Sequence, residues 1–250
     1  MARSVVKWLG VSVLVLAHAF PCFLHAQVPS YTWTSLVPEH DTRDADLRKY
    51  DKDMLQEMIG NMNATEKVFH KHLTWQEVSI RDLLTAHAPF CEIDFDPLHP
   101  VVFTERERYN LKEYLKRGGF FVIGEDVYPY SEEEIATVTN WPVTDYFIKY
   151  LPATDHDFTV EKINESHLIY HQYYKTLVPP AERWALGRFP TLPDCTMLFY
   201  KGHPCAFIYA NYFCDGEQWV ALPRPFSETT DWIPEDYAMN VNLYIYATMH

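Results

Sequence analysis

The sequence predicts an α/β protein built on a mostly parallel sheet with flanking helices. Three observations carry that expectation. An amphipathic helix with a capping box, Thr104 and Glu107, ends at the pair Gly118-Gly119. The run Phe120-Phe121-Val122-Ile123 follows at once, wholly apolar and β-prone, as a strand buried on both faces of a parallel sheet would be. With the apolar stretch Pro89–Phe95 upstream, these pieces make a strand-helix-strand unit.

The other elements follow in chain order. Tyr31–Val37 is expected to be the first strand. A helix is expected from Arg43 to Asn61, where Leu47, Tyr50, Met54, Leu55, Met58 and Ile59 recur on one face. Lys67–His72 is expected as a strand, as is Pro89–Phe95, with Phe90, Ile93 and Phe95 as its apolar members. Leu111, Tyr114 and Leu115 mark the inner face of the helix opened by Thr104. Ser131 with Glu134 forms a second capping box, and Asp145–Leu151 a further helical segment. Met197–Tyr200 and Ala206–Tyr209 flank Lys201-Gly202-His203-Pro204 as a hairpin. The last helix is expected over Pro234–Met249, with Tyr237, Ala238, Val241, Tyr244 and Ile245 on its apolar face. No repeat, low-complexity tract or linker divides the chain, so one domain is expected from Tyr31 to His250.

Composition bounds the function. Of the 250 residues, 48% are hydrophobic and 22% charged, enough apolar side chain for a buried core. The aromatic share of 16%, mostly Tyr and Phe, suits strands and wide grooves. Arg3 and Lys7, the apolar run Leu9–Phe20 and the small Ala26 read as a signal peptide over residues 1–26, too short for a comfortable membrane span. A lipoprotein site at Cys22 is disfavoured by the bulky Phe20-Pro21 before it. A periplasmic or secreted location is therefore expected, with a mature chain from Gln27 and no transmembrane span after removal of the signal. That segment holds two basic residues and no acidic one. The 21 basic and 34 acidic residues then become 19 against 34, a net charge of −15. Such a chain repels phosphate backbones and anionic lipid, so nucleic acid is not an expected partner.

Cys91, Cys195, Cys205 and Cys214 would remain after cleavage. An oxidising compartment permits disulfides, but four cysteines allow three pairings and nothing in the spacing chooses among them. Cys91, in an apolar strand, reads as a packed thiol. None lies in a Cys-x-x-Cys pair.

Candidate site residues fall in three groups. Glu125 and Asp126 follow the central strand, where open α/β sheets gather their ligands. There a carboxylate can orient water, bind a cation or hold a hydroxyl, although Asp is equally at home as a turn cap. His167 and His171 are four apart, and on a helix would share a face and a metal ion, but no Glu follows His167 as in the zinc-protease motif. Asp215, Glu217 and Trp219 put acid beside aromatic, a pairing that can hold a sugar, or simply a turn beside a half-buried ring. Asn240 and Asn242 lie on the last helix, and at least one is expected to tie it to the sheet. No Walker loop, dinucleotide fingerprint or nucleophile elbow occurs, so no nucleotide cofactor is indicated, and the sequence names no other cofactor.

Four stretches resemble the bacterial family catalogued as domain of unknown function 4159. They are Phe103–Asp126, Ser166–Tyr174, the hairpin through Gly202 with Asp215–Trp219, and Met239–Asn242 leading to Thr248. The resemblance covers about Phe90 to Thr248. It implies a flavodoxin-like sheet of the class I glutamine amidotransferase kind, in proteins of unestablished role. Amidotransferases place a nucleophilic Cys in the turn after a buried strand. The comparable stretch here, Ile123-Gly124-Glu125-Asp126, has neither Cys nor Ser. Leu168 stands where the family has Pro, and Ser166 where it has Asp, so a role needing that Asp is not carried over. The expectation is an exported binding or accessory module of the cell envelope, taking a small polar ligand or an envelope protein. The alternative is a metal-assisted or acid/base hydrolase of a sugar or amide, with Asp126, His167 and His171 as its catalytic set.

Overall fold

The computed structural model describes residues 31–41, 43, 45–65, 69, 72–95, 100–125, 142–164, 166–174, 195–210 and 235–249. Seven strands form one sheet: β1 (Tyr31–Val37), β2 (Leu73–Ser79), β3 (Phe90–Phe95), β4 (Phe120–Glu125), β5 (Phe158–Lys162), β6 (Thr196–Tyr200) and β7 (His203–Ala210). Their spatial order is β2-β1-β3-β4-β7-β6-β5. The first five in that order are mutually parallel, and β6 and β5 add an antiparallel edge. Parallel neighbours in the order second, first, third, fourth, fifth make the flavodoxin-like sheet. The expected α/β class is therefore what the chain adopts.

Helices cover both faces. α1 (Ala45–Thr65) and α4 (Glu235–Met249) lie on one, packing Ile59, Met62, Val241 and Tyr244 against Trp33, Phe90, Val122 and Phe207. On the other face lie α2 (Glu105–Lys116) and α3, a helical segment of an α turn (Pro142–Asp145), a π stretch (Tyr146–Tyr150) and an α turn (Leu151–Thr154). Leu111, Leu115, Phe147 and Leu151 there meet Cys91, Ile93, Phe121 and Ile123. β4 is central and feeds both layers, Phe120 and Val122 to one and Phe121 and Ile123 to the other, which is why the run Phe120–Ile123 is wholly apolar.

Local chemistry sets the element ends. Thr104 caps α2: its hydroxyl accepts from Glu107 N–H, while the Glu107 carboxylate accepts from Thr104 N–H. At the other end Gly118 has φ +87°, its N–H bonding Leu115 C=O, and Gly119 N–H bonds Tyr114 C=O, a Schellman close. The hairpin turn is tighter than expected. Lys201 and Gly202 alone span it, both with positive φ, while His203 and Pro204 already belong to β7. Pro204 sits where the β6–β7 register shifts, the place a strand tolerates a residue without N–H.

One expectation is corrected. The second strand is Leu73–Ser79 and not Lys67–His72: Phe69 and His72 are outside any strand, and the pairing runs Tyr31 with Leu73 through Val37 with Ser79. Its alternation is real, with Leu73 and Trp75 turned to the α1 side, and Asn63 holds its start by bonding both Leu73 N–H and C=O. β5 was not foreseen. The capping box Ser131–Glu134 lies outside the described residues.

One ion-paired cluster supports a prediction here. Asp155, just after α3, takes Lys112 Nζ at 2.9 Å and Lys116 Nζ at 2.8 Å, clasping α3 to α2. Lys116 first, then Lys112, hold its carboxyl well below the usual carboxylate range by hydrogen bonding. A depressed pKa contributes stability above the unfolded value, lost as pH falls through the folded one. Asp155→Asn should cost up to about 1 kcal/mol at neutral pH, since both partners reach solvent. In urea titrations across pH, variant and parent should converge below the ordinary carboxylate range.

Candidate functional site at the carboxyl ends of the strands

The chain leaves β1 for β2 on one side, while β3 lies on the other. The sheet order therefore reverses between β1 and β3, and the carboxyl ends there, Val37 and Phe95, frame the crevice where such sheets bind ligands. The loop after β1 is charged and tightly held. Asp41 accepts three hydrogen bonds from Arg43: N–H and Nε–H at 3.1 Å to Oδ1, and a terminal NH2 at 3.0 Å to Oδ2. The Asp41 side chain is 5% exposed and that of Arg43 12%. Burial pushes the Asp41 carboxyl up, but the bonds and charge of Arg43, with Arg48 adding, outweigh it and hold the group below its ordinary value. The result is a pre-oriented planar ion pair just ahead of α1.

Glu107 joins this loop to the other wall. Its carboxylate is 1% exposed. Oε1 accepts from Glu39 N–H at 2.7 Å, and Oε2 from Thr104 N–H at 2.8 Å and the Thr104 hydroxyl at 2.9 Å. The residue that completes the capping box thus also ties the β1 loop to the start of α2. A third acid, Glu92, lies within β3 opposite Ser35 of β1. The buried Trp33 donates its indole N–H to Glu92 Oε2 at 2.7 Å. Sequence reasoning passed over Glu92, although two acids inside the apolar strand Phe90-Cys-Glu-Ile-Asp-Phe95 are a visible signal.

Glu125 ends β4, its backbone paired with Phe95 and Ala210, so it stands at the carboxyl end of a central strand as expected. Asp126, Asp215, Glu217, Trp219 and Cys214 lie outside the described residues. The two histidines are elsewhere. They flank a single 3-10 turn, Leu168–Tyr170, so helical spacing does not align them. His167 caps that turn, its Nδ1 accepting from Ile169 N–H at 3.3 Å, and its ring packs on Tyr246 at 5.7 Å. Tyr246 in turn meets Phe120, the first residue of β4. At ~3.3 Å per strand residue, Glu125 lies about 16 Å further along β4. These contacts tie His167 to the Phe120 end of β4. Among the described residues no group of three or more His, Cys, Asp or Glu could hold a metal ion.

Asn242 meets the expectation of a tie only in part. It is fully buried on α4, and it binds the Tyr173–Tyr174 backbone and not the sheet. Asn240 reaches Met58 of α1 with its amide.

The described thiols are all buried. Cys91 is fully buried, and burial pushes its thiol up to about 12, against a weaker lowering by the Tyr114 hydroxyl. Burial also pushes up Cys205. Cys195 is buried at the start of β6. Cys91 and Cys205 in the folded protein should resist iodoacetamide at about pH 8 and react only after denaturation, read by mass spectrometry.

No family model matches the chain, and no curated protein does. A solved structure it resembles is a Bacteroides uniformis protein described as ThuA-like, at 13% identity and TM-score 0.42, covering 88% of this chain and 93% of that one. The fold assignment rests on the strand order. Among the described residues no helix is long and apolar enough to cross a membrane.

Proposed function

We propose that this chain is an exported binding module of the bacterial cell envelope, taking a small polar ligand in the crevice at the carboxyl ends of β1 and β3. The observation that carries the reading is the reversal of strand order there, bordered by the buried Asp41–Arg43 pair and the Glu107 cross-link. Fixed, desolvated charge suits recognition of hydroxyl or charged groups. The raised, buried thiols and the lack of Cys or Ser at Gly124-Glu125-Asp126 speak for binding over acyl transfer.

Kinship with the domain of unknown function 4159 family belongs to the same proposal. Two of the four stretches that carry the resemblance touch: Asn242 bonds the Tyr173–Tyr174 backbone, and His167 packs on Tyr246. Their likeness is then one of scaffold.

The test is a thermal-shift series on the purified chain from Gln27, with Ca²⁺, Mn²⁺, Zn²⁺, free amino acids and monosaccharides. A ligand of the crevice raises Tm with concentration by mass action. The rise should vanish in Asp126→Ala and Arg43→Gln and persist in His171→Ala. A shift abolished by His171→Ala alone would overturn the placement. Amino-terminal sequencing of the protein recovered from periplasm or medium should begin near Gln27, and an uncleaved cytoplasmic product would overturn the export.

A further inference from the structure

α2 carries an unusual share of the positive charge. Arg106, Arg108, Lys112, Lys116 and the capping Arg117 are five of 21 basic residues in a chain of net charge −13. Four lysines elsewhere sit beside carboxylates: Lys49 with Asp53, Lys52 with Glu77, Lys149 with Asp145 and Lys201 with Asp157. Among the described residues, Arg106, Arg108 and Arg117 have no such partner. The acids on the exposed side of α2 are Glu105 and Glu113, and Asp155 offsets one charge of the Lys112–Lys116 pair.

Arg108, Lys112 and Lys116 follow one another at four-residue steps, a row along one side of the helix. Tyrosines bracket the row. The Arg108 guanidinium lies over Tyr150 at 5.8 Å, and Lys116 Nζ over Tyr200 at 5.7 Å. Tyr150 stacks on Tyr146, whose hydroxyl bonds Arg108 C=O at 2.9 Å, so this end of the row is rigid. Tyr150 remains 47% exposed. Arginine and tyrosine over a firm base are the side chains that anchor protein interfaces.

We propose that this row is a docking strip for an extended acidic segment of a partner protein. The spacing fits. Cations four apart on a helix stand about 6 Å apart along its axis. Alternate side chains of an extended peptide repeat at about 6.6 Å and point the same way. A segment with Glu at every second position thus lays carboxylates by Arg108 and by the Lys112–Lys116 pair, which keeps one charge beyond Asp155, while its intervening side chains face away from the strip. A flat anionic membrane is disfavoured, because it meets the whole molecule at net charge −13, whereas a slender chain meets the strip alone. The strip is distinct from the crevice and its test is independent of it.

The experiment is fluorescence anisotropy with a labelled peptide alternating Glu and Leu. The controls are a peptide of the same composition with its Glu residues contiguous, and vesicles of phosphatidylglycerol and phosphatidylcholine. The alternating peptide should bind best and be released at about 1 M salt, where the screening length is ~3 Å. Arg108→Glu with Lys112→Glu should weaken it at least about tenfold, and Arg108→Gln by a smaller factor. Lys49→Glu, an equal change per residue on the opposite face of the sheet, should leave binding within about twofold. Equal binding of both peptides, equal weakening by Lys49→Glu, or preferential capture by the vesicles would each overturn the proposal. Circular dichroism checks that the variants are folded, and Arg108→Gln carries the test if the double variant is not.

Discussion

Gly119→Ala should destabilise the protein by about 3 kcal/mol, near the upper end for overpacking a core. A methyl group at Gly119 would fall within the Tyr114 ring. That ring has nowhere to go. It stacks on Phe121 with centroids 4.6 Å apart, and its hydroxyl donates to Ala88 C=O at 2.7 Å. Gly118, next door, is a useful contrast: a methyl there meets nothing within 4 Å, and only its φ of +87° is at stake. Gly118→Ala should therefore cost about 1 kcal/mol, the usual strain of a side chain in the left-handed region. Urea denaturation of both variants separates collision from backbone strain. Tyr114→Leu combined with Gly119→Ala should lose less than the sum of the single changes, because the collision is then gone.

Asn242→Ala should cost about 3 to 5 kcal/mol, although it removes only a small side chain. Its Oδ1 accepts from Tyr173 N–H at 2.9 Å and Tyr174 N–H at 2.7 Å, and its Nδ2 donates to Tyr174 C=O at 2.8 Å. All three backbone groups lose their partner at once, at about 1–3 kcal/mol for each that stays dry. Asn242→Asp keeps the acceptor but loses the donor and buries a charge, so it should also be destabilising, and less so in acid, where the carboxyl can protonate and donate. Faster amide exchange at Tyr173 and Tyr174 in both variants would locate the damage, and unchanged exchange there would refute the account.

The parts of the fold legible in the sequence are those whose signals are local. The capping box of Thr104, the Gly118-Gly119 close and the apolar β4 each announce themselves within a few residues, and all three stand as expected. The edges were harder. β2 and β5 are stabilised by what they pair with, and β5 exposes Thr159, Glu161 and Lys162, a composition that also suits a loop. For the site, proximity to the strand ends was legible for Glu125, since any residue after a buried parallel strand lands there. The double duty of Glu107 was not, because the contact from Glu39 to Glu107 spans 68 residues and no local pattern encodes it. His167 and His171 misled by spacing alone: the four-residue interval means a shared face only on an α-helix, and here a 3-10 turn intervenes.

The packing of Tyr244 also sets the order in which the molecule can be completed. Its ring stacks against Trp33 at 5.9 Å and meets Tyr31, Phe69 and Phe90, so the earliest strand closes its core against a helix made last. During synthesis, the first strand's indole must wait for more than two hundred further residues before its ring partner exists. Until then the α1 side of the sheet lacks its lid, and a chain cut short before Glu235 carries that unfinished surface permanently. Such fragments would be targets for chaperones and proteases, and only full-length chains would reach the native state.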